Sequence, residues 1–179
     1  MMQIVELTKA STPLPRLAYR YRTRHHYALE LKRSAGGWTA RLRLRRLPRE
    51  LEKRCESELF QWMVLEPRAF AAIEDGKQVG WIEVDLSAFK ERARVWEFLV
   101  LEEYRRRGIG TALMTKAEEV AREAGVRMLV LETQSCNVGA MAFYLKFGFD
   151  LVGFDGTAYS NEDVERGEIR LEMGKLLRD

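Results

Sequence analysis

Residues 105–111 read Arg-Arg-Arg-Gly-Ile-Gly-Thr, and they stand between an apolar strand pattern at 94–100 and a helical stripe of small apolar side chains. Glycines at 108 and 110 leave no side chain where a backbone bends closely around a ligand, so amide N–H groups and a helix N-terminus can point at an anion. Arg105, Arg106 and Arg107 add charge-assisted donors of the kind phosphates accept. The junction therefore asks for a strand, a tight basic turn and a helix in succession, with the chemistry of a pyrophosphate cradle. Two familiar phosphate loops do not fit. A P-loop has Lys-Ser/Thr directly after its last glycine, where Thr111-Ala112 stand here, and a dinucleotide fingerprint has a third glycine where Leu113 stands. An isolated Gly-x-Gly is as often a plain turn with solvated arginines, so the flanking elements decide.

Those elements are legible. The helix carries Ala112, Leu113, Ala117, Val120, Ala121 and Ala124 on one face, with Gly125 to end it. Residues 126–133 hold an uninterrupted Met-Leu-Val-Leu run, the pattern of a strand buried on both faces, as in a parallel pair around a crossover helix. Upstream, alternation at 27–32 and 38–45 on either side of Ala35-Gly36-Gly37 predicts a hairpin, with Arg41, Arg43 and Arg45 on a solvated strand face. Leu51, Cys55, Leu59, Trp62 and Met63 predict an amphipathic helix over 49–65. A second hairpin follows at 69–73 and 78–86 around Asp75-Gly76-Lys77, a short helix at 137–147, and late strands at 149–154 and 168–175. Residues 1–24, with Thr12-Pro13-Leu14-Pro15 and an Arg/Tyr stretch, read as an arm or irregular lead-in, and 25–179 as one domain.

Composition sets bounds on function. The chain of 179 residues, 46% hydrophobic, can fill a single core. Its 30 Lys+Arg against 27 Asp+Glu leave a charge of +3, far from that of a protein that coats nucleic acid, so nucleic acid is not an expected partner despite the arginines at 16–24. Cys55 and Cys136 suggest no disulfide framework, although Cys136, ahead of the helix at 137–147, is placed for partial activation by its dipole. No charged-then-apolar leader and no apolar run near ~20 residues is present, so a cytoplasmic protein without a membrane span is expected. His25 and His26 are adjacent and lack companions for a metal site.

Arg105-x-x-Gly108-x-Gly110, after a strand and opening a helix, resembles the acyl-CoA-binding motif of the GNAT superfamily of N-acetyltransferases. Residues 137–149, Asn-Val-Gly-Ala-Met-Ala-Phe-Tyr-Leu-Lys-Phe-Gly-Phe, resemble that family's second signature. Together with Leu131-Glu132-Thr133-Gln134 and Gly153-Phe154-Asp155, they make the chain similar, more narrowly, to streptothricin acetyltransferases. The resemblance is strong over 95–159 and offers nothing to compare before Tyr27. It implies an α/β fold of α+β type: a mixed central sheet with antiparallel N-terminal strands, a parallel pair around a crossover helix, and flanking helices. It also implies acetyl-CoA as co-substrate, no metal, and transfer of acetyl to a primary amine by direct attack in a ternary complex. The acceptor classes it suggests are a streptothricin-like antibiotic, a small amine or a protein amino group. A homodimer paired across a sheet edge is compatible with such a sheet.

Residue by residue, the resemblance gives the pyrophosphate to the amides of Arg107, Gly108, Ile109, Gly110, Thr111 and Ala112, with Arg105 and Arg106 beside them. The backbone of Phe98, Leu99 and Val100, in a strand splayed from its neighbour, is expected to pair with the pantetheine arm, and Asn137 and Lys146 to contact the rest of CoA. Tyr144 is the expected general acid for the departing thiolate. For the base that frees the amine, Glu97 comes first because it interrupts an apolar strand beside the thioester position, with Glu83, Asp85 and Glu132 as rivals. These carboxylates, with Tyr159, are the candidate acceptor contacts and favour a cation. The competing reading is a non-catalytic CoA or acyl-CoA sensor or an interaction module, and a pure sensor needs neither Tyr144 nor Glu97.

Overall fold

The computed structural model describes residues 2–11, 13–87 and 91–177. Along the chain run β1 (Gln3–Leu7), β2 (Arg16–Ser34), β3 (Gly37–Glu58), β4 (Pro67–Glu74), β5 (Lys77–Asp85), β6 (Arg92–Val100), α1 (Ile109–Glu123), β7 (Met128–Gln134), α2 (Val138–Phe147), β8 (Asp150–Asp155), α3 (Asp163–Arg166) and β9 (Arg170–Leu176). The chain divides into two compact units. One comprises Met1–Tyr19, Cys55–Leu131 and Gly174–Asp179, the other Arg20–Arg54 and Glu132–Met173.

In the first unit, β1, β4, β5 and β6 are successive antiparallel neighbours, and β7 joins β6 in parallel through Arg92↔Met128 to Val95↔Leu131. Asp75 and Gly76, with φ of 49° and 76°, turn β4 into β5, the backbone sense that a two-residue hairpin needs. The helix α1 connects the parallel strands, so the expected mixed sheet with a parallel pair around a crossover helix is what forms. Ile109, Leu113, Met114, Ala117, Val120 and Ala121 are its buried face. Gly80 on β5 lets that face come close: a Cβ there would lie 3.0 Å from the Leu99 carbonyl oxygen and 3.1 Å from Leu113 Cδ1. On the opposite side of the sheet, Leu7, Leu17, Leu59, Ala69, Ala71, Trp81 and Leu99 form a second apolar cluster.

In the second unit, β2 and β3 make a two-stranded ribbon turning at Ala35 and Gly36. Arg20, Arg22 and Arg24 pair across it with Glu52 and Glu50 at 2.9–3.1 Å. Exposed pairs of this kind are screened by solvent and contribute little to stability. Asn137 caps α2 by accepting from the Ala140 amide, Gly148 (φ 97°) ends it, and β9 lies between β7 and β8. Met141, Ile169 and Leu171 are its apolar centre, with Tyr27, Leu29 and Leu42 packed against them.

Two expectations are corrected. The lead-in at 1–24 is not irregular: β1 occupies Gln3–Leu7, and β2 starts at Arg16. Across 16–24 the arginines are exposed, while Leu17 is buried and Tyr19, Tyr21 and Thr23 are half-buried, which is a strand alternation. Thr12, in the Thr-Pro-Leu-Pro stretch, lies outside the described residues. The helix expected over 49–65 is instead the end of β3 followed by an irregular loop. Leu51, Lys53, Ser57 and Leu59 take the inner positions with period two, Glu50 and Glu52 face the arginines of β2, and Trp62 is 87% exposed, so the apparent helical stripe is never buried together.

Candidate active site

Strand β6 leaves its parallel partner early. Pairing with β7 covers Arg92 to Val95, whereas pairing with β5 continues to Val100. Between Glu83↔Glu97 and Val84↔Val95 the register slips by one, with Trp96 as the extra residue, and bulges of this kind bend a strand away from a neighbour. Phe98, Leu99 and Val100 pair with β5 and lie beyond the stretch of β6 that pairs with β7. The Val100 carbonyl accepts from Arg105 Nε at 3.1 Å, which ties the end of the strand to the basic turn.

That turn follows a single 3-10 turn at Glu102–Tyr104. Arg106 (φ 62°) and Gly108 (φ 84°) both take the left-handed conformation, and Gly108 is the N-cap of α1. The Ala112 amide donates to the Gly108 carbonyl at 3.0 Å, so the amides of Ile109, Gly110 and Thr111 precede the helix ladder. A Cβ at Gly108 would meet no atom within 4 Å, so there is open room beside it. Arg105, Arg106 and Arg107 are exposed, and Arg107 lies 5.1 Å over the Tyr104 ring and 3.5 Å from Glu74. Backbone amides ahead of the helix ladder, open space and positive charge fit a diphosphate.

The sheet face opposite α1 carries three buried acids, Glu83, Asp85 and Glu97. Glu83 and Glu97 are direct cross-strand partners. Glu97 accepts from Tyr19 Oη at 2.6 Å, Ser57 Oγ at 2.5 Å and Gln61 Nε2 at 3.0 Å. Burial raises its pKa, and the donors from Ser57, Tyr19 and Gln61 offset part of that rise. Tyr19 also accepts from the Phe98 amide at 3.2 Å, so it bridges the β6 backbone and the carboxylate. Glu83 is fully buried, and its Oε1 accepts from the Phe60 amide at 2.6 Å. Its Oε2 has no hydrogen-bond partner among the described residues. Asp85 is fully employed: it accepts from the amides of Leu65, Glu66 and Ser87 and from Ser87 Oγ. Burial opposes its charge, yet these donors prevail and hold its pKa below the usual value. Asp85 thus pins the loop after β3, and Tyr19, Ser57, Gln61 and Phe60 complete the acid cluster. Tyr19 was detectable from the alternation of 16–24, but the left-handed Phe60 (φ 60°) had no sequence signal.

The second unit holds the remaining candidates. Tyr144 is buried on α2, edge-on to Phe143 at 5.8 Å and 6.0 Å from Phe149, and burial raises its pKa. Lys146 is exposed on the same helix, and the Asn137 side-chain oxygen is engaged as its cap, leaving the amide nitrogen to donate. Tyr159 Oη donates to Glu132 at 3.1 Å, and Arg170 stands 3.8 Å from the same carboxylate. Cys136 is not activated: burial raises its thiol pKa, with Tyr21 Oη 3.3 Å from the sulfur. Both cysteines are free, and no helix among the described residues is long and apolar enough to cross a membrane.

Comparison with known proteins gives this geometry a family. Residues 38–149, more than half of the chain, match the acetyltransferase (GNAT) family. Streptothricin acetyltransferase of Streptomyces lavendulae is 35% identical over 109 residues, covering 60% of this chain and 57% of that protein. Streptothricin acetyltransferase A of Bacillus subtilis is 37% identical over 93 residues, covering 52% and 53%. The chain thus spans about half the length of these curated relatives. Among solved structures, a nourseothricin acetyltransferase superposes with a TM-score of 0.74 at 27% identity over 99% of each chain. A candidate streptothricin acetyltransferase of Bacillus anthracis, solved with acetyl coenzyme A, reaches 0.78 at 22% identity over 98% of this chain and 99% of that one, which speaks to the fold. The chain belongs to the acetyltransferase (GNAT) family.

Proposed function

We infer that this protein transfers the acetyl group of acetyl-CoA to a primary amine by direct attack, both substrates being bound at once. The observation that carries the reading is the first unit's combination of an anion-accepting turn at 105–112, a β6 segment freed from β7, and buried acids on β5 and β6. The amides and arginines of that turn hold the pyrophosphate of acetyl-CoA, whose thioester supplies the acyl group. The backbone of Phe98, Leu99 and Val100 pairs with the pantetheine arm, and N–H donors near Leu99 and Val100 stand by the carbonyl on which negative charge develops. Asn137, through its side-chain nitrogen, and Lys146 contact the remainder of CoA.

The amine arrives as an ammonium and must lose a proton before it can attack. A carboxyl of the Glu83–Glu97 pair takes that proton, and the acidic surroundings draw a cation. Tyr144, kept protonated by burial, returns a proton to the departing thiolate. Glu132 and Tyr159 recognise the acceptor. Relatives named for streptothricin and nourseothricin make an antibiotic amine the first acceptor to try, with small amines and protein amino groups next, and free cysteines suit a reducing cytoplasm.

The test is thiol release from acetyl-CoA with nourseothricin, lysine, a polyamine and an N-terminal peptide. Acceptor-dependent release with one of them is expected. CoA binding without release to any amine would favour the sensor reading instead.

A further inference from the structure

The two carboxyls that face each other across β5 and β6 are not equivalent. Glu97 has both oxygens served by donors, from Tyr19, Ser57 and Gln61, which favour its charged form and offset part of the rise in pKa that burial imposes. Glu83 lies opposite it in register, is fully buried, receives one donor at Oε1 and offers an Oε2 with no partner among the described residues. A buried carboxyl oxygen without a donor is the place where a proton can sit at least cost. The donor that Glu83 does receive comes from Phe60, whose backbone is held at φ 60°, a conformation unfavourable for an aromatic residue. Strain of this kind persists where the surroundings impose it, and here it aims an amide at Glu83.

The geometry points to Glu83 as the proton-accepting member of the pair, with Glu97 as the ionised member that positions the acceptor's ammonium. This rests on the acetyl-transfer reading above. The charged groups facing Glu83 are consistent with that division. Burial pushes it up to about 7; the Phe60 amide opposes this, the Glu97 and Asp85 charges add to it, and Lys9, after β1, opposes it. Near neutral pH Glu83 can therefore both bind and release a proton.

An N–H bond of the ammonium breaks with its electron pair left on nitrogen, and an O–H bond forms on Glu83. The freed amine attacks the thioester carbon, the C–S bond breaks with its pair on sulfur, and the second N–H proton is lost as sulfur gains one. Glu83 then releases its proton to water, so each turnover yields the amide, the thiol and one proton.

The test is the pH profile of thiol release from acetyl-CoA with nourseothricin for the wild type, Glu83→Gln and Glu97→Gln, together with a carboxyl carbon NMR titration of glutamate-labelled protein without substrates. For the wild type, kcat/KM should rise with pH through an inflection near 7. Glu83→Gln should lose that inflection and fall roughly tenfold or more above it. Glu97→Gln should keep the inflection and raise KM for the amine. In the NMR titration, one resonance that titrates near 7 should vanish in Glu83→Gln. A Glu83→Gln enzyme with the wild-type rate and inflection overturns the proposal. So does a wild-type protein with no carboxyl titrating between about 6 and 8, a result that stands even if the variant fails to fold. Absence of thiol release in the wild type counts against acetyl transfer to this acceptor, whereas the NMR titration still decides whether Glu83 holds the proton.

Discussion

Glu83→Gln keeps the shape of the side chain and its acceptor for the Phe60 amide, while removing a carboxyl that burial pushes from an ordinary 4.5 up to about 7. A carboxyl with a raised value in the folded protein binds its proton more tightly folded than unfolded. Its contribution is therefore fully present below the unfolded value of 4.5 and is lost as pH climbs through about 7, above which the fold carries a buried charge. A displacement of about 2.5 pH units at about 1.4 kcal/mol each amounts to about 3 kcal/mol. Glutamine is neutral throughout, and the carboxyls that do not face Glu83 titrate alike in both proteins and cancel in the comparison. The stability of Glu83→Gln relative to wild type should therefore shift by about 3 kcal/mol in the variant's favour between about pH 4.5 and pH 8. Urea unfolding followed by circular dichroism at half-unit pH intervals reads this directly. A stability difference that stays constant across the range would refute the reasoning, since it would mean that Glu83 titrates alike in the folded and unfolded chain.

Tyr144→Phe should lower kcat for acetyl transfer by about 100-fold while leaving acetyl-CoA affinity nearly intact; unchanged turnover would remove Tyr144 from the mechanism. Gly80→Ala places a methyl 3.0 Å from the Leu99 carbonyl and 3.1 Å from Leu113. It should cost about 1–3 kcal/mol, seen as a lower melting temperature, and it should raise KM for acetyl-CoA because α1 begins at the basic turn. Asp85→Ala leaves the Leu65 and Glu66 amides without their acceptor, for a loss of about 2–3 kcal/mol by urea unfolding. Because the Asp85 value is depressed in the fold, that contribution is present above the ordinary 3.8 and fades as pH falls below it.

What was legible in the sequence follows from what each element is buried against. The stretch from β4 to β7 was read correctly because Asp75-Gly76, the Gly108 turn and the stripe from Leu113 to Ala121 each obey local rules that the packing also obeys. The ribbon was misread at its ends. Leu51, Cys55 and Leu59 match a helical period by coincidence, and only the cross-strand partners of Glu50 and Glu52 make 49–58 a strand. At the candidate site, Glu97 stood out as a charge inside an apolar strand, with Glu83 among its rivals. Their different surroundings were invisible, because Tyr19 and Ser57 come from distant segments and the Phe60 amide depends on a left-handed backbone that no residue type announces.

Acetyl-CoA binding at the basic turn underlies every step proposed above, and calorimetric titration of the wild type and of Gly108→Trp measures it. Gly108 has open space beside it and sits at the head of α1, so an indole there would fill the room a diphosphate needs. Dissociation constants in the micromolar range are expected for the wild type and a loss of at least tenfold, about 1.4 kcal/mol, in the variant, with thermal melts showing that the variant is folded. No heat of binding in the wild type, or equal affinity in a folded Gly108→Trp protein, would contradict it.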